Sequence, residues 1–191
     1  MKKWLLFVLF LAVGFGAMAQ EPTRSKVSEE DKTALLKQMK GQTNAFSCSF
    51  VEEKWIAILD ETLVSKGTIS YEPSKRLTCE YTEPEALKLV KEANGKLTVT
   101  KKGNPVPPSP MHRQMMDMME VFVSGQAAEN SKEYQAEVWS EGKYYILSLT
   151  PKTKQRFSLI ELYIDKPSKR IIKTVLKEAK GDTTTVTMTE D

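Results

Sequence analysis

The 191-residue chain has little of what most enzyme sites require. It contains one histidine, His112, and two cysteines, Cys48 and Cys79, which excludes most metal clusters built on imidazole. It has neither a glycine-rich phosphate loop nor a hydrolase nucleophile motif. Adjacent carboxylates such as Glu52 and Glu53 point to opposite faces of a strand, so they do not form an acid–base pair. The sequence therefore predicts a protein that is not an enzyme and uses no cofactor or metal ion.

Long apolar runs are confined to the N terminus. Two lysines precede an apolar stretch from Trp4 to Phe15, and Ala17-Met18-Ala19 follows it. A charged start, a short apolar core and an A-x-A site are typical of a secretory signal peptide, and we expect cleavage after Ala19. A membrane anchor is the alternative, but it favours a run of about 18 or more apolar residues. We therefore expect export out of the cytoplasm.

The exported chain has almost no excess of charge. Cleavage removes Lys2 and Lys3 and no acidic residue, so the 28 basic and 25 acidic residues of the full chain become 26 and 25. A protein that binds the phosphate backbone of a nucleic acid needs a clustered basic face. The balanced charge of the exported chain therefore argues against a nucleic-acid partner. We expect a flexible leader over 20–27, a single domain over 28–191 with a sizeable core, and a monomer.

Alternating apolar and polar residues recur along most of the chain. They predict ten strands, over residues 44–58, 62–71, 76–82, 87–92, 96–101, 134–140, 143–150, 156–165, 170–179 and 183–189. Turn signals such as Asn94-Gly95 and Glu141-Gly142 separate them. This spacing favours a curled antiparallel sheet or a barrel. The proline-rich segment 103–110 is predicted to be a stiff loop that joins no ladder.

Two segments have helical character. Ser28 is placed to cap a helix that has acidic residues in its first turn and runs to about Met39. The second helix covers 111–123 and is unusually rich in methionine, whose unbranched thioether adapts to varied apolar shapes. Ordinary core packing and a surface that receives acyl chains are both compatible with this composition.

The strands that begin NAFSCSFVEEKW and GTISYEPSKRLTCEYTEP resemble those of the LolA-type periplasmic carriers of outer-membrane lipoproteins. Family members show a first strand with an F-x-Q-like start, then a glycine-led strand, R-P-x-x-F-x-W-x-Y-x-x-P and D-G-K. The matching positions here are Phe46 to Phe50, Gly67, Pro73, Leu77, Cys79, Tyr81, Pro84 and Asn94-Gly95-Lys96.

The resemblance implies both a fold and a role. The fold is α+β and mostly β, an incomplete and strongly curved antiparallel β-barrel of about ten strands with helices covering the open side. The role is to shield the acyl chains of lipoproteins, or of another lipid, during transfer from the inner to the outer membrane. The implied partners are an inner-membrane donor complex and an outer-membrane acceptor.

The alternation of apolar and polar residues, together with the resemblance, predicts which residues contact the lipid. The cavity wall is predicted to consist of Phe46, Cys48, Phe50, Leu77, Cys79, Tyr81, Ile160, Leu162 and Ile164. The lid is predicted to be the second helix, with Met111, Met115, Met118, Met119 and Phe122. The two cysteines could form a disulfide or remain buried thiols, and their apolar neighbours favour thiols.

Two positions depart from the family pattern. Carriers of this type usually have an arginine before the first proline of the motif, where it helps to hold the lid closed, and this chain has Glu72. The strand 96–101 also lacks the aromatic residues that often follow D-G-K. A sensor of envelope lipids or lipoproteins, or a protein-interaction module with the same fold and no transport role, is therefore the alternative function.

Overall fold

The fold comes from a computed structural model that describes residues 23–40, 44–123, 133–154 and 156–189. The predicted signal peptide and its cleavage site lie outside these residues. Within the described ranges, no helix is long and apolar enough to cross a membrane.

Twelve strands form one antiparallel sheet. They are β1 (Ser25–Lys26), β2 (Phe46–Ile56), β3 (Glu61–Glu72), β4 (Arg76–Glu83), β5 (Leu87–Glu92), β6 (Leu97–Lys101), β7 (Asn104–Val106), β8 (Tyr134–Glu141), β9 (Tyr144–Pro151), β10 (Phe157–Asp165), β11 (Ile171–Glu178) and β12 (Thr183–Thr189). Their order is β1-β8-β9-β10-β11-β12-β2-β3-β4-β5-β6-β7, so β1 and β7 lie at the two edges and the sheet does not close. The predicted mostly β fold, an incomplete curved barrel with helices, is confirmed.

The two edge strands correct the predicted organisation. Ser25 and Lys26 pair with Ser140 and Trp139, so the leader predicted to be loose over 20–27 is ordered at its end. Two residues carry too short a pattern to be recognised in a sequence. Strand β7 pairs with β6, so the prediction that 103–110 joins no ladder is wrong for its first part. Pro105 is tolerated because an edge strand needs donors on one side only.

Strong turn signals lie where hairpins form. Gly95 has a φ of 80° and Gly181 a φ of 98°, a region that glycine enters without steric cost. At the first of these turns the Gly95 amide donates to the carbonyl of Glu92 (2.9 Å), and the Lys96 amide donates to Oδ1 of Asn94 (2.9 Å). These turns therefore fix the register of the strands on either side of them.

Both helices begin at a capping serine. Helix α1 (Glu29–Lys40) follows Ser28, whose Oγ accepts a hydrogen bond from the Asp31 amide (3.1 Å). Helix α2 (Pro110–Val123) follows Ser109, whose Oγ accepts from the His112 amide and whose own amide donates to Nδ1 of His112, both at 3.2 Å. His112 thus helps to start α2, since these bonds satisfy donors that a helix N terminus leaves unpaired.

The core lies on one face of the sheet, which we call the inner face. Residues opposite each other in the ladder share a face, and this relation places Phe50, Leu77 and Leu162 on the inner face. The α1 cluster packs Leu35 and Met39 of helix α1 against β8, β9, β10 and β11. The α2 cluster packs methionines of helix α2 against β2 to β6 and β12. Helix α1 therefore packs on one cluster, and helix α2 packs mainly on the other.

Gly67 permits the closest contact inside the α2 cluster. It lies opposite Phe50, and the Phe50 ring in turn meets the Tyr81 ring edge-on at 5.1 Å between centroids. A Cβ added at Gly67 would lie 2.8 Å from two carbons of the Phe50 ring and would overlap the backbone carbonyl of Glu80.

We therefore expect Gly67→Ala to lower the free energy of unfolding by about 3 kcal/mol, because neither the ring nor the backbone can yield cheaply. Urea unfolding followed by circular dichroism measures this change. Ser70→Ala in the same strand is the matched control and should change the value by less than about 1 kcal/mol. Equal effects of the two substitutions would contradict this account of the packing.

Candidate functional site

The predicted wall residues lie on the inner face, in two groups. Eight of the nine are buried, and Phe46 is half-buried. The six residues from β2 and β4 belong to the α2 cluster, whereas Ile160, Leu162 and Ile164 belong to the α1 cluster. The structure therefore divides the predicted wall into two apolar regions, one under each helix.

Helix α2 presents methionines to both regions. Met115 and Met119 pack against the α2 cluster and are half-buried, whereas Met118 packs against the α1 cluster. Met111 is 65% exposed, and the side chain of Phe122 lies outside what the structure describes. Met116 was not predicted, yet it is fully buried in the α2 cluster. The helical spacing of Met116 with Met119 and Val123 is the signal that could have identified it.

Lys91 ties helix α2 to the sheet. It lies opposite Leu77 and Leu97, so it projects from the inner face, and its side chain is only 16% exposed. Its Nζ lies 2.5 Å from Asp117 Oδ1 and 2.6 Å from Glu120 Oε2 of the helix. Burial opposes the charged form, but the hydrogen bonds to these two carboxylates raise the pKa of Lys91 above its usual value. One half-buried lysine therefore holds two carboxylates of α2.

Glu52 and Thr174 are further polar residues that face inward. Glu52 is half-buried and accepts a hydrogen bond from the Tyr81 hydroxyl (3.1 Å), whose oxygen lies 3.6 Å from Sδ of Met115. Burial raises the pKa of Glu52 despite that bond and the charge of Lys54. Thr174 is 2% exposed, and its Oγ1 has no hydrogen-bond partner among the described residues. Polar residues alternate with apolar ones in every strand, so the sequence gives no sign that these two face the core.

The two cysteines are thiols and not a disulfide. Both lie opposite Ile69, one on each side, so two strand spacings of about 4.8 Å separate their Cα atoms. A disulfide needs Cα atoms roughly 4.4–6.8 Å apart, which excludes this alternative. Burial raises the pKa of Cys79 to about 12, so it is protonated at neutral pH. Among the described residues, no group of three His, Cys, Asp or Glu side chains could hold a metal ion.

Comparison with known proteins identifies the family. A family model described as the outer membrane lipoprotein carrier protein LolA matches residues 41–190. The chain belongs to the LolA family. No curated protein matches the sequence.

The solved structures that resemble this LolA-family chain include two that contain MucB. One is MucB, with a TM-score of 0.54 and 17% identity over 84% of this chain and 57% of MucB. The other is the MucA/MucB complex of Pseudomonas aeruginosa, with a TM-score of 0.50 and 17% identity over 84% of this chain and 55% of the matched chain. This chain spans less than two thirds of those chains, and the likeness shows the fold alone.

Glu72, where the sequence departs from the expected family pattern, forms its described ion pairs within its own turn. Glu72 binds Nε of Arg76 at 2.7 Å and lies 3.7 Å from Nζ of Lys75, within its own turn. The Arg76 bond lowers the pKa of Glu72 below its usual value. In this LolA-family chain the described ion pairs between the sheet and α2 start from Lys91 on β5.

Lys91→Met should loosen helix α2. It removes both ion pairs but keeps an apolar stem of similar length, at a cost of about 1 kcal/mol to the closed helix. Hydrogen exchange followed by mass spectrometry should then give about fivefold faster exchange of α2 amides. Lys88→Met is the matched control, because Lys88 pairs with Glu80 on β4 and not with the helix. Unchanged α2 exchange in the Lys91 variant would contradict the role of the ion pairs.

Proposed function

We propose that the chain is a periplasmic carrier that shields the acyl chains of a lipoprotein, or of another lipid, during transfer from the inner to the outer membrane. The observation that carries this proposal is a methionine-rich helix laid over an apolar sheet face and tied to it by one lysine. Membership of the LolA family supports the same role. The partners in this proposal are an inner-membrane donor complex and an outer-membrane acceptor.

The energetics favour such a face as an acyl receptor. Each methylene buried from water contributes about 0.8 kcal/mol, so a chain of sixteen carbons supplies roughly 12 kcal/mol before ordering costs. Tight binding of an acyl chain is therefore easily obtained, and release of the bound chain is the harder requirement. A covering helix that can be displaced meets this requirement, because its movement exposes or covers the apolar face.

Helix α2 is suited to that movement. Half-buried methionines make contacts that are not shape-specific, so they can repack around an inserted chain. The carboxylates that bind Lys91 are 63% and 42% exposed on the helix side, so water can replace the ammonium group as the helix lifts. Opening then costs far less than unfolding the sheet beneath.

Truncating two of these methionines should weaken acyl binding. Met115→Ala with Met119→Ala removes apolar contact on the inner side of α2, and we expect at least about tenfold weaker binding of a fluorescent fatty acid. Fluorescence titration measures it, and urea unfolding checks that the variant is folded. Gln114→Ala, at an exposed position of the same helix, should leave binding unchanged. A wild-type chain that binds neither fatty acids nor diacyl lipids would contradict the carrier function.

A second candidate function is that of a protein-interaction or sensor module. The observation that favours it is a set of exposed apolar side chains on the β2–β3 hairpin, where Ile58 is 90%, Leu59 58%, Leu63 51% and Val64 47% exposed. Large exposed apolar patches mark interaction sites. The structurally similar MucB has been solved in complex with MucA(peri), although that likeness concerns the fold alone.

The two functions separate in one variant. Ile58→Ser with Leu59→Ser changes the hairpin tip and leaves both clusters of the inner face intact. If the carrier function holds, fatty-acid binding should stay within about twofold of the wild type, since neither residue packs in a cluster. The interaction module would be favoured by two results together. The wild type would bind no lipid, and the variant would fail to replace the wild-type protein in its host.

A further inference from the structure

Four polar residues form a strip on the inner face between the two apolar clusters. One row of the ladder runs Leu162, Thr174, Val186 and Glu52, and the next runs Leu176, Thr184 and Lys54. Leu162 and Leu176 belong to the α1 cluster, whereas Val186 belongs to the α2 cluster. We call Thr174, Thr184, Glu52 and Lys54 the polar strip. It lies on β11, β12 and β2, where the regions covered by the two helices meet.

Thr174 is the part of the strip that packing does not explain. Its side chain is 2% exposed, and Oγ1 finds no hydrogen-bond partner within the described ranges. A buried hydroxyl that lacks a partner destabilises a protein, whereas valine has the same shape and would carry no such penalty. A polar partner that enters this face would satisfy the hydroxyl.

Glu52 supplies a complementary group. A carboxylate can accept about four hydrogen bonds, and among the described residues Glu52 accepts one from Tyr81. Its Cα lies two strand spacings, about 9.5 Å, from that of Thr174, with the buried Val186 between them. A small polar group above Val186 would therefore reach both side chains, and acyl chains on either side of it would lie under α1 and α2.

We propose that the polar strip binds the polar group next to the acyl chains of an amphiphile, and that this group carries an N–H donor of the amine or amide type. The N–H groups donate to the carboxylate of Glu52. Ester or amide carbonyls of the same ligand accept from the hydroxyl of Thr174 and the ammonium of Lys54. This inference rests on the proposed carrier function and names the chemistry that its ligand must have.

Two phospholipids with identical acyl chains test whether an N–H donor on the ligand is needed. Phosphatidylethanolamine and phosphatidylcholine are both zwitterionic, but only the first has N–H groups. We expect the full chain, in native mass spectrometry with an equimolar mixture, to bind phosphatidylethanolamine about tenfold more tightly. Glu52→Gln should bring the two affinities to within about twofold. Glu53→Gln, the neighbouring position on the opposite face, should keep the preference.

Thr174→Val tests the role of the Thr174 hydroxyl through two measurements, stability and lipid binding, which should change in opposite directions. It should raise the unfolding midpoint of the lipid-free protein and weaken the binding of both lipids severalfold, whereas a structural threonine would change stability alone. Thr187→Val, at an exposed position of β12, should change neither.

The outcomes separate this inference from the carrier function. Equal binding of the two lipids by the wild type, or a preference that survives Glu52→Gln, would overturn the inference and leave the carrier intact. Unchanged lipid binding in Thr174→Val would overturn the assignment of that residue. Failure to bind either lipid would overturn the carrier function and the inference with it.

Discussion

Covering the inner face of an unclosed sheet is the constraint on which the rest of this structure depends. Twelve strands at about 4.8 Å would span roughly 50 Å if the sheet were flat. Helices of 12 and 14 residues are about 18 and 21 Å long and about 10 Å wide, so they cannot cover such an area. Curvature brings the strands around the two helices and solves this problem, and it leaves the core divided into one cluster under each helix.

That division explains where polar residues are tolerated on the inner face. Lys91 projects among apolar neighbours, and the carboxylates of Asp117 and Glu120 compensate its charge. Glu52 and Thr174 lie where the two clusters meet, and of these two only the carboxylate has a described partner. A protein built for stability alone would fill this region with apolar side chains. Lys91 is explained by the helix that it holds, and Glu52 and Thr174 are the residues for which the proposed ligand contacts give a reason.

The sequence predicts the sheet well because period-two alternation and turn residues are local signals. Strands β5 and β12 have the predicted bounds, and the positions with positive φ at Gly95 and Gly142 lie in predicted turns. Strands β1 and β7 were missed because two or three residues are too few to show an alternating pattern. Lys91 and Thr174 were missed for a different reason. Their roles depend on which helix or strand lies opposite, and that is a property of the tertiary fold.

The measurement that tests the carrier function most directly is native mass spectrometry of the protein purified gently from its own host, followed by lipid extraction. The account predicts a stoichiometric adduct whose mass corresponds to an acylated lipid or lipopeptide. A clean lipid-free mass, which stays clean after incubation with lipoproteins and phospholipids, would contradict it.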